Sequence, residues 1–577
     1  MKLNKHAVKV FFVLVLLSLS ITAAAQRIND FALFDQHGTF HQLSYYKNNK
    51  AVILLVDQVG GNSNVRAQFQ SLAKEENNAE IVFMMLSPGG VDKQLPLHSQ
   101  DISLPNLNDD IGLVSNLLGV TRVGEVLLLD PKRSSVLYRG QLGESLNLAI
   151  KEISSDLPLS NNKTPLINLP LLQPSASEKN QKIISYQNDV APTLIKHCVV
   201  CHRENGVAPF AMDSWGVVLG WSPMIKEVLM TKRMPPGQID PSIGHFKNGR
   251  ALSAEEVAQL INWIDAGGVN DSDEDPLENF VRSENEWALG KPDLIVDLPE
   301  QSIPATGLID YTDIVLSIPL IEDRWVRGTQ FVPGDQRVLH HAEAFVVPLK
   351  LSGESAVNPK VVIAEHFLSA FNNSNNPDAA LFAPYVPGAK PESLPSNTGG
   401  ILKANSQLAV QLHYAAIGRE VKDQTRLGLW FYPKDNKPEN RMVVGCACLD
   451  QTQWKKIPAY EENFVAKAEL LIDKNVYLYS VFPQMHYRGS AIRFDAHLPN
   501  GEVEPLLSIP KYNFNWQIDY QFEQPKFVAA GTKIVATATY NNSSKNEFNP
   551  DASQDVPWGR ESYNEILAGV FQWKVVD

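Results

Sequence analysis

The sequence predicts a multidomain chain with one α/β domain, a small all-α domain and two all-β sandwiches of jelly-roll-like type. Three observations lead to this prediction. Short, fully apolar runs alternate with amphipathic helical patterns in roughly the first quarter of the chain. A helical segment with the motif C-x-x-C-H follows. From about residue 290 onward, short alternating apolar runs are separated by Pro, Gly, Asn and Asp, which is typical of β-sandwiches.

The first element, residues 1–25, is expected to be a secretory signal peptide. A basic start with Lys2, Lys5 and Lys9 precedes an apolar run that ends in Ala-Ala-Ala. This run is too short for a comfortable membrane span, and no later segment is apolar for long enough to cross a bilayer. The expected location is therefore the bacterial periplasm or the exterior, with no membrane span after cleavage.

Composition excludes one class of partner. The chain of 577 residues has a formal net charge of -13, and its Lys and Arg residues are not clustered. Because phosphate binding needs such clusters, we expect no nucleic-acid partner. The hydrophobic content of 44% and the charged content of 20% are those of ordinary globular proteins.

Residues 26–155 contain the α/β pattern, with apolar runs such as A-V-I-L-L-V-D and E-I-V-F-M-M-L-S around an amphipathic helix. From F-A-L-F-D-Q-H-G-T-F to V-L-L-L-D-P-K-R, this stretch resembles a thioredoxin-like redoxin domain. The family's chemistry depends on a cysteine at a strand-to-helix turn. Asn62 stands about where that thiol would be, and no cysteine precedes Cys198. The resemblance therefore implies the fold without thiol redox activity, and we interpret the domain as a docking or structural module.

Residues 156–182 are rich in Pro, Ser and Asn and are expected to be a linker. The next domain, residues 183–275, contains the motif H-C-V-V-C-H. Cys198 and Cys201 are about one helical turn apart, so both can form thioethers to one haem while His202 supplies an axial ligand. A disulfide or a structural zinc site are the alternatives. The pattern predicts covalently bound haem c.

The sixth haem ligand is expected downstream. The candidates are Met212, Met224, Met230, Met234 and His245. Met234 is preferred because the two prolines after it hold the chain extended and leave the sulfur free to reach iron. A predicted capping box from Ser253 to Glu256 then starts a closing helix. Together with R-M-P-P, this helix resembles small class I-like cytochrome c domains, which implies a cytochrome c domain here.

A histidine pattern marks the first predicted sandwich. His340 and His341 are adjacent, and His413 follows in Q-L-A-V-Q-L-H-Y. Neighbouring residues of a strand point to opposite faces, so two adjacent histidines that reach one metal imply a bend or a loop. Three imidazoles with an open position suit copper or zinc.

From about residue 290 to its end, the chain resembles the copper type II, ascorbate-dependent monooxygenases, the family of peptidylglycine α-hydroxylating and dopamine β-monooxygenases. The resemblance implies two β-sandwiches, at residues 290–435 and 440–577. It also implies one copper at His340, His341 and His413, and an oxygen-activating copper in the second sandwich. In the family, a His-x-His pair and a later Met bind that second copper.

The second copper site departs from the family pattern. In F-P-Q-M-H-Y-R-G, Gln484 stands where the first histidine should be, and only His486 remains. Ile566 stands where the later Met should be. Met485 would partly substitute if the loop re-aimed its side chain. His486 and Met485 are therefore the remaining candidates for an oxygen-activating site.

Cys446 and Cys448 are separated by a single residue. So short a loop does not favour an easy mutual disulfide. A strained bond and two free thiols are the leading alternatives, ahead of metal binding.

Two functional hypotheses follow from these patterns. In the first, an exported haem c- and copper-dependent monooxygenase passes electrons from haem to copper and hydroxylates an unknown small molecule or peptide with oxygen. In the second, the chain is a non-enzymatic electron-transfer or copper-binding protein whose oxygen-activating site is lost. Either one implies an electron donor protein or a small reductant as partner.

Overall fold

A computed structural model describes residues 26–58, 63–76, 78–89, 103–167, 169–170, 183–237, 239–281, 286–347, 382–389 and 392–576. The predicted signal peptide, Asn62 and most of the second half of the predicted linker lie outside these residues. No helix within the described ranges is long and apolar enough to cross a membrane.

The first part of the chain folds around a six-stranded sheet. The six strands of this sheet are β1 (Gln26–Arg27), β4 (Ala51–Val56), β5 (Ile81–Pro88), β6 (Asn106–Asp109), β7 (Glu125–Asp130) and β8 (Ser135–Gln141). The strands β2 (Ala32–Phe34) and β3 (Phe40–Gln42) form a separate pair. The helices of this part are α1 (Ser63–Glu76), α2 (Leu113–Leu118) and α3 (Glu144–Ser154). The sheet order is β1-β8-β7-β4-β5-β6, and β4 is parallel to β5 and antiparallel to β7. Every residue of β4 is buried, as its apolar run predicts. The expected thioredoxin-like α/β arrangement is present.

The next part is helical. Its helices are α4 (Ala191–His197), α5 (Trp215–Met230) and α6 (Ala254–Asp265). The predicted capping box is confirmed at α6, where the Ser253 side chain accepts from the Glu256 backbone and the Glu256 carboxylate accepts from the Ser253 backbone. The C-x-x-C-H motif follows the end of α4 directly.

The α/β part and the helical part share one hydrophobic core. Leu54 and Leu118 of the first part and Leu194 and Trp263 of the second belong to the same cluster of buried side chains. Burial of a common apolar surface holds the two parts together.

Two β-sandwiches form the rest of the chain. The first contains β9 (Leu294–Asp297), β10 (Gln301–Ile303), β11 (Thr312–Ser317), β12 (Arg324–Val332), β13 (Leu339–Val347), β14 (Phe382–Tyr385), β15 (Glu392–Ser393), β16 (Thr398–Leu402), β17 (Gln407–Tyr414), β18 (Val421–Asp423) and β19 (Arg426–Phe431). The sheet β11-β17-β13-β14 packs on the layer built by β16, β12, β19 and β9.

The second sandwich contains β20 (Asn440–Cys448), β21 (Phe464–Ile472), β22 (Val476–Gln484), β23 (Gly489–His497), β24 (Val503–Ile509), β25 (Tyr520–Val528), β26 (Thr532–Tyr540) and β27 (Ala568–Val575). One layer is β21-β26-β23-β24, and the other is β25-β22-β27-β20. The second layer continues into the first sandwich, because β20 pairs with β16 in parallel. The two sandwiches expected on either side of residues 435–450 thus share a sheet. A disulfide joins Cys446 to Cys448 on β20.

One face of β13 and β17 packs against the second sandwich. Alternate residues of a strand share a face, and along β13 this face changes in character. Phe345 lies in an apolar cluster with Phe482 of β22. Glu343 accepts a hydrogen bond from Gln484. His341 follows at the end of this row. The interface between the sandwiches therefore passes from apolar to polar to imidazole side chains.

Candidate functional site

His340, His341 and His413, called here the histidine trio, are brought together by the pairing of β13 with β17. His341 is opposite His413, and the register shifts between Leu339 and His341. This irregularity is the bend that two adjacent histidines require, because an extra residue re-aims the side chains of a strand. The ring centroids of His341 and His413 are 5.0 Å apart, and those of His340 and His413 are 5.9 Å apart.

The trio is buried and short of hydrogen-bond partners. His341 is 1% exposed and His413 is 4% exposed. Both ring nitrogens of His341 and the Nδ1 atoms of His340 and His413 have no partner. A neutral imidazole always carries an N–H, and burying such a donor without an acceptor costs about 1–3 kcal/mol. The trio therefore contains donor atoms that the protein itself does not use.

Burial also fixes the protonation state of the trio. Removal from water holds the pKa of His341 well below its ordinary value. The same cause lowers the pKa of His413 to about 3 and also lowers that of His340. All three rings are therefore neutral at pH 7, which is the form that binds metal ions.

The residues present fit a metal ion by their donor chemistry. Two imidazoles bound to one ion at roughly 2 Å have ring centres roughly 5–6 Å apart, and two pairs in the trio, His341 with His413 and His340 with His413, have this spacing. Within the described ranges, no group of three His, Cys, Asp or Glu side chains has the geometry of a preformed metal site. The rings of the trio would have to turn, and their unpartnered nitrogens are not held against such a turn. Three nitrogen donors of this kind suit copper or zinc.

Two neighbours make polar contacts with rings of the trio. Burial lowers the pKa values of His340 and His413, and polar contacts with the Asn515 side chain and the Ile309 backbone, respectively, act in the opposite direction. Contacts of this type orient a metal-binding imidazole and select the nitrogen that remains available. Asn515 belongs to the second sandwich, so both sandwiches contribute to the site.

His486 lies next to the trio, with one tyrosine between them. The ring centroid of Tyr311 is 5.4 Å from that of His341, 5.2 Å from that of His413 and 5.9 Å from that of His486. His486 is 1% exposed, and burial lowers its pKa to about 3. Its Nδ1 is 3.1 Å from the Asn564 carbonyl oxygen. The structure thus brings His486 to the edge of the trio.

Tyr311 is a site residue that sequence reasoning missed. It immediately precedes β11, and Phe514 packs beside it against both His413 and His486. No motif marks either aromatic. The signal that could have identified Tyr311 is the alternation of faces along a strand. Tyr311 lies on the same face as Asp313 of β11, and the neighbouring strand β17 carries His413.

The other positions expected at the second copper site have different partners. Gln484 Nε2 donates to Glu343 Oε1 at 3.1 Å. Met485 is fully buried in the core of the second sandwich, where its backbone N–H donates to the Tyr512 hydroxyl. Ile566 offers no metal-binding side-chain atom. His486 is therefore the one predicted second-site residue whose side chain adjoins the trio in the described part of the chain.

The motif from Cys198 to His202, called here the haem motif, has residues that fit a covalent haem. No disulfide joins its two cysteines in the structure, so that alternative is not formed. His202 Nδ1 is 3.2 Å from the Phe210 carbonyl oxygen, and the two rings are in contact. This hydrogen bond makes Nδ1 the donor and leaves Nε2 for an iron ligand.

The candidates for the sixth haem ligand differ in their surroundings. Met212 and Met230 are buried in the core shared with the α/β part, whereas Met224 is 48% exposed. His245 is exposed. Met234 is half-buried in the turn after α5, where its backbone N–H donates to the Val228 carbonyl. Met234 stays the predicted ligand.

The haem motif docks on the first sandwich at a glycine. A Cβ atom on Gly388 would lie 3.2 Å from Cys201 Sγ and 3.4 Å from Val200, and Gly388 has φ +77. Beside this contact, Arg250 Nη2 donates to the Pro387 carbonyl at 2.7 Å. Gly388 follows β14, which pairs with β13, the strand of His340 and His341. The haem motif and the trio thus lie on the same part of the first sandwich.

No protein-family model and no curated protein matches this chain. Among solved structures, the chain is similar to a putative thiol:disulfide interchange protein DsbE from Chlorobium tepidum, with 14% identity over 23% of this chain and 95% of that one, at a TM-score of 0.20. Peroxidoxin BcpB from Mycobacterium tuberculosis is 24% identical over 23% of this chain and 94% of its own, at a TM-score of 0.20. The exposed lipoprotein thioredoxin Etrx1 from Streptococcus pneumoniae is 20% identical over 22% of this chain and 98% of its own, at a TM-score of 0.19.

The fold and the site together define a class of protein in structural terms. The chain joins a thioredoxin-like α/β part to a C-x-x-C-H segment and to two β-sandwiches with a shared sheet. Buried imidazoles lie between those sandwiches.

Proposed function

We propose that this chain is an exported redox protein that binds one haem c through the haem motif and one copper through the histidine trio. When bound, both groups supply one-electron redox chemistry. The observation that carries the proposal is the contact between Cys201 and Gly388. This contact sets the haem motif against the strands that hold the trio.

A short route through the protein connects the two sites. Gly388 lies three residues after Tyr385. Tyr385 pairs with Ala342 across β14 and β13, and Ala342 follows His341 directly. The sulfur atom of Cys201 is thus connected to His341 through one close approach to Gly388, a few residues of backbone and one pair of strands. The missing side chain of Gly388 makes the first of these steps possible.

A second candidate function is the two-copper monooxygenase reaction, with oxygen-dependent hydroxylation of a small molecule or a peptide. The position of His486 favours it, because the hydrogen bond of Nδ1 to the Asn564 carbonyl leaves Nε2 for a metal. Gln484, Met485 and Ile566 weigh against it, since none of them places a donor beside His486. We therefore prefer a single copper.

An anaerobic partial reduction tests the proposal. The exported, haem-loaded protein is supplied with one copper equivalent and then with half of the electrons needed to reduce both groups. Absorption spectroscopy measures reduced haem, and electron paramagnetic resonance measures Cu(II). We expect both signals to change and to reach a common equilibrium. Copper that stays fully oxidised after further reductant has reduced all of the haem would contradict the proposal, as would a trio that accepts zinc but no copper. The variant His341→Ala is the control without a complete trio.

A further inference from the structure

A cleft of about 390 Å³ opens onto the histidine trio at the edge between the two sandwiches. His340 and His413 belong to its lining. Its walls are the turn 305–309, which precedes β11, and the turn 414–418, which follows β17. The Gly418 N–H donates to the Ala305 carbonyl at 2.9 Å, so the two turns are tied together. The cleft is therefore part of the fold and needs no rearrangement to exist.

The second sandwich closes the other side of the cleft with two polar side chains. Tyr487 and Asn515 both line it. Asn515 lines the cleft together with His340, and Tyr487 packs against Phe514, with ring centroids 4.5 Å apart. Each of these two side chains is thus positioned by a neighbouring residue. A molecule in the cleft would meet a hydroxyl, an amide and the imidazoles of His340 and His413.

The lining of the cleft contains no Asp, Glu, Lys or Arg among the residues that the structure describes. An ion that entered would lose its hydration without meeting an opposite charge, which is unfavourable. The carboxyl group of Asp310 directly follows the turn 305–309, which forms one wall of the cleft. A negative charge there would oppose an anion in particular. A neutral molecule avoids both the loss of ion hydration and the repulsion by a negative charge.

We infer that this cleft binds a small, uncharged organic molecule with one or two hydrogen-bonding groups, beside the metal of the trio. The inference rests on the proposed function, since it takes the trio as the metal site. The inference also goes beyond the proposed function, because it assigns the ligand to the trio and not to the surroundings of His486. The volume is at the small end of the range of roughly 300–1,000 Å³ that is typical of ligand pockets. A peptide of several residues would not fit within it.

Two probes of the same shape and different charge test the inference. Benzamide and benzoate are titrated into the copper-loaded protein and into the metal-free protein. Calorimetry measures binding in both, and electron paramagnetic resonance measures the change at Cu(II). We expect benzamide to bind and to perturb the copper signal, and benzoate to bind at least about tenfold more weakly. Equal binding of the two probes would overturn the inference.

Three variants locate the binding and provide controls. Ala416→Phe fills the cleft, whereas Ala404→Phe adds the same ring at the far end of β17; benzamide binding should be lost only in the first. Leu308, at the mouth of the cleft, is 59% exposed, and Leu308→Lys should strengthen benzoate binding by about fivefold, because a new charge pair becomes available. Unchanged benzamide binding in Ala416→Phe would overturn the inference.

The same experiment separates the failure of this inference from the failure of the proposed function. If the protein binds no copper and calorimetry still detects benzamide in the cleft, the proposed function is wrong and the neutral-ligand site stands. If copper binds and neither method detects benzamide, the site is wrong and the proposed function stands.

Discussion

The two β-sandwiches differ most where each one presents its predicted metal ligands to the other. In the first sandwich, His341 and His413 are buried with ring nitrogens that have no partner. In the second, the Gln484 amide pairs with Glu343, and Met485 is packed into the core. An unpartnered buried donor therefore marks a place for a ligand. A buried donor with a protein partner, such as the Gln484 amide, instead helps to hold the fold together.

The largest expected effect concerns the trio itself. The variant His341→Ala should weaken copper binding by more than about 100-fold, because removing a ligand costs more than the 10- to 100-fold of a supporting contact. His486→Ala should keep its copper. Competition titration with a chelator measures both affinities, and His497→Ala, at an exposed position, is the control. Equal copper loss in the His341 and His486 variants would contradict the claim that the first sandwich alone binds copper.

The next effect concerns the pair that replaces a ligand in the second sandwich. Gln484→His removes the hydrogen bond to Glu343, a buried carboxyl whose pKa is raised to about 8 by burial. Leaving such a group unsatisfied should lower the free energy of unfolding by about 1–3 kcal/mol. Copper per chain should not change. Denaturant unfolding and elemental analysis test the two parts, and a second bound copper would show that Gln484 occupies a true ligand position.

A smaller effect on stability, with a specific effect on electron transfer, is expected at Gly388. Both Gly388→Ala and Gly501→Ala place a side chain at a positive φ, which costs about 1 kcal/mol or slightly more. Only Gly388 has Cys201 against the added atom, because nothing lies within 4 Å at Gly501. Stopped-flow spectroscopy should therefore detect slower electron transfer between haem and copper in the first variant alone. Equal rates in the two variants would remove Gly388 from the route.

The smallest effect is expected at Ile566, the position of the family's methionine. Ile566→Met is close to volume-conserving and should change the free energy of unfolding by less than about 1.5 kcal/mol. Because His486 would still be the single imidazole there, copper per chain should stay the same. A gain of copper in this variant, measured by elemental analysis, would favour the two-copper monooxygenase.

Sequence patterns predicted the local features of this molecule well. The apolar runs of β4 and β5, the capping box of α6 and the bend at His340 depend on neighbouring residues, and all three are present. The haem motif was predicted from its local spacing, whereas the prediction of copper at the trio also depended on the family resemblance.

Long-range features could not be predicted in this way. Gln484 and Glu343 are 141 positions apart, and their hydrogen bond exists because two sandwiches pack face to face. The place of Tyr311 between three histidines depends on strands that meet only in the folded state. The shared sheet depends on a short parallel contact between β16 and β20. No local pattern encodes such pairings, so the sequence predicted a missing ligand where the structure has a hydrogen bond between the sandwiches.

The central claim is that one sandwich keeps its metal site and the other has lost it. The most direct test is the content of haem and copper in the exported, haem-loaded protein, measured by absorption spectroscopy and elemental analysis on the same sample. The account predicts one haem and one copper per chain. Two coppers per chain would mean that the second sandwich still binds metal, and none would mean that the trio does not; either result would contradict the account.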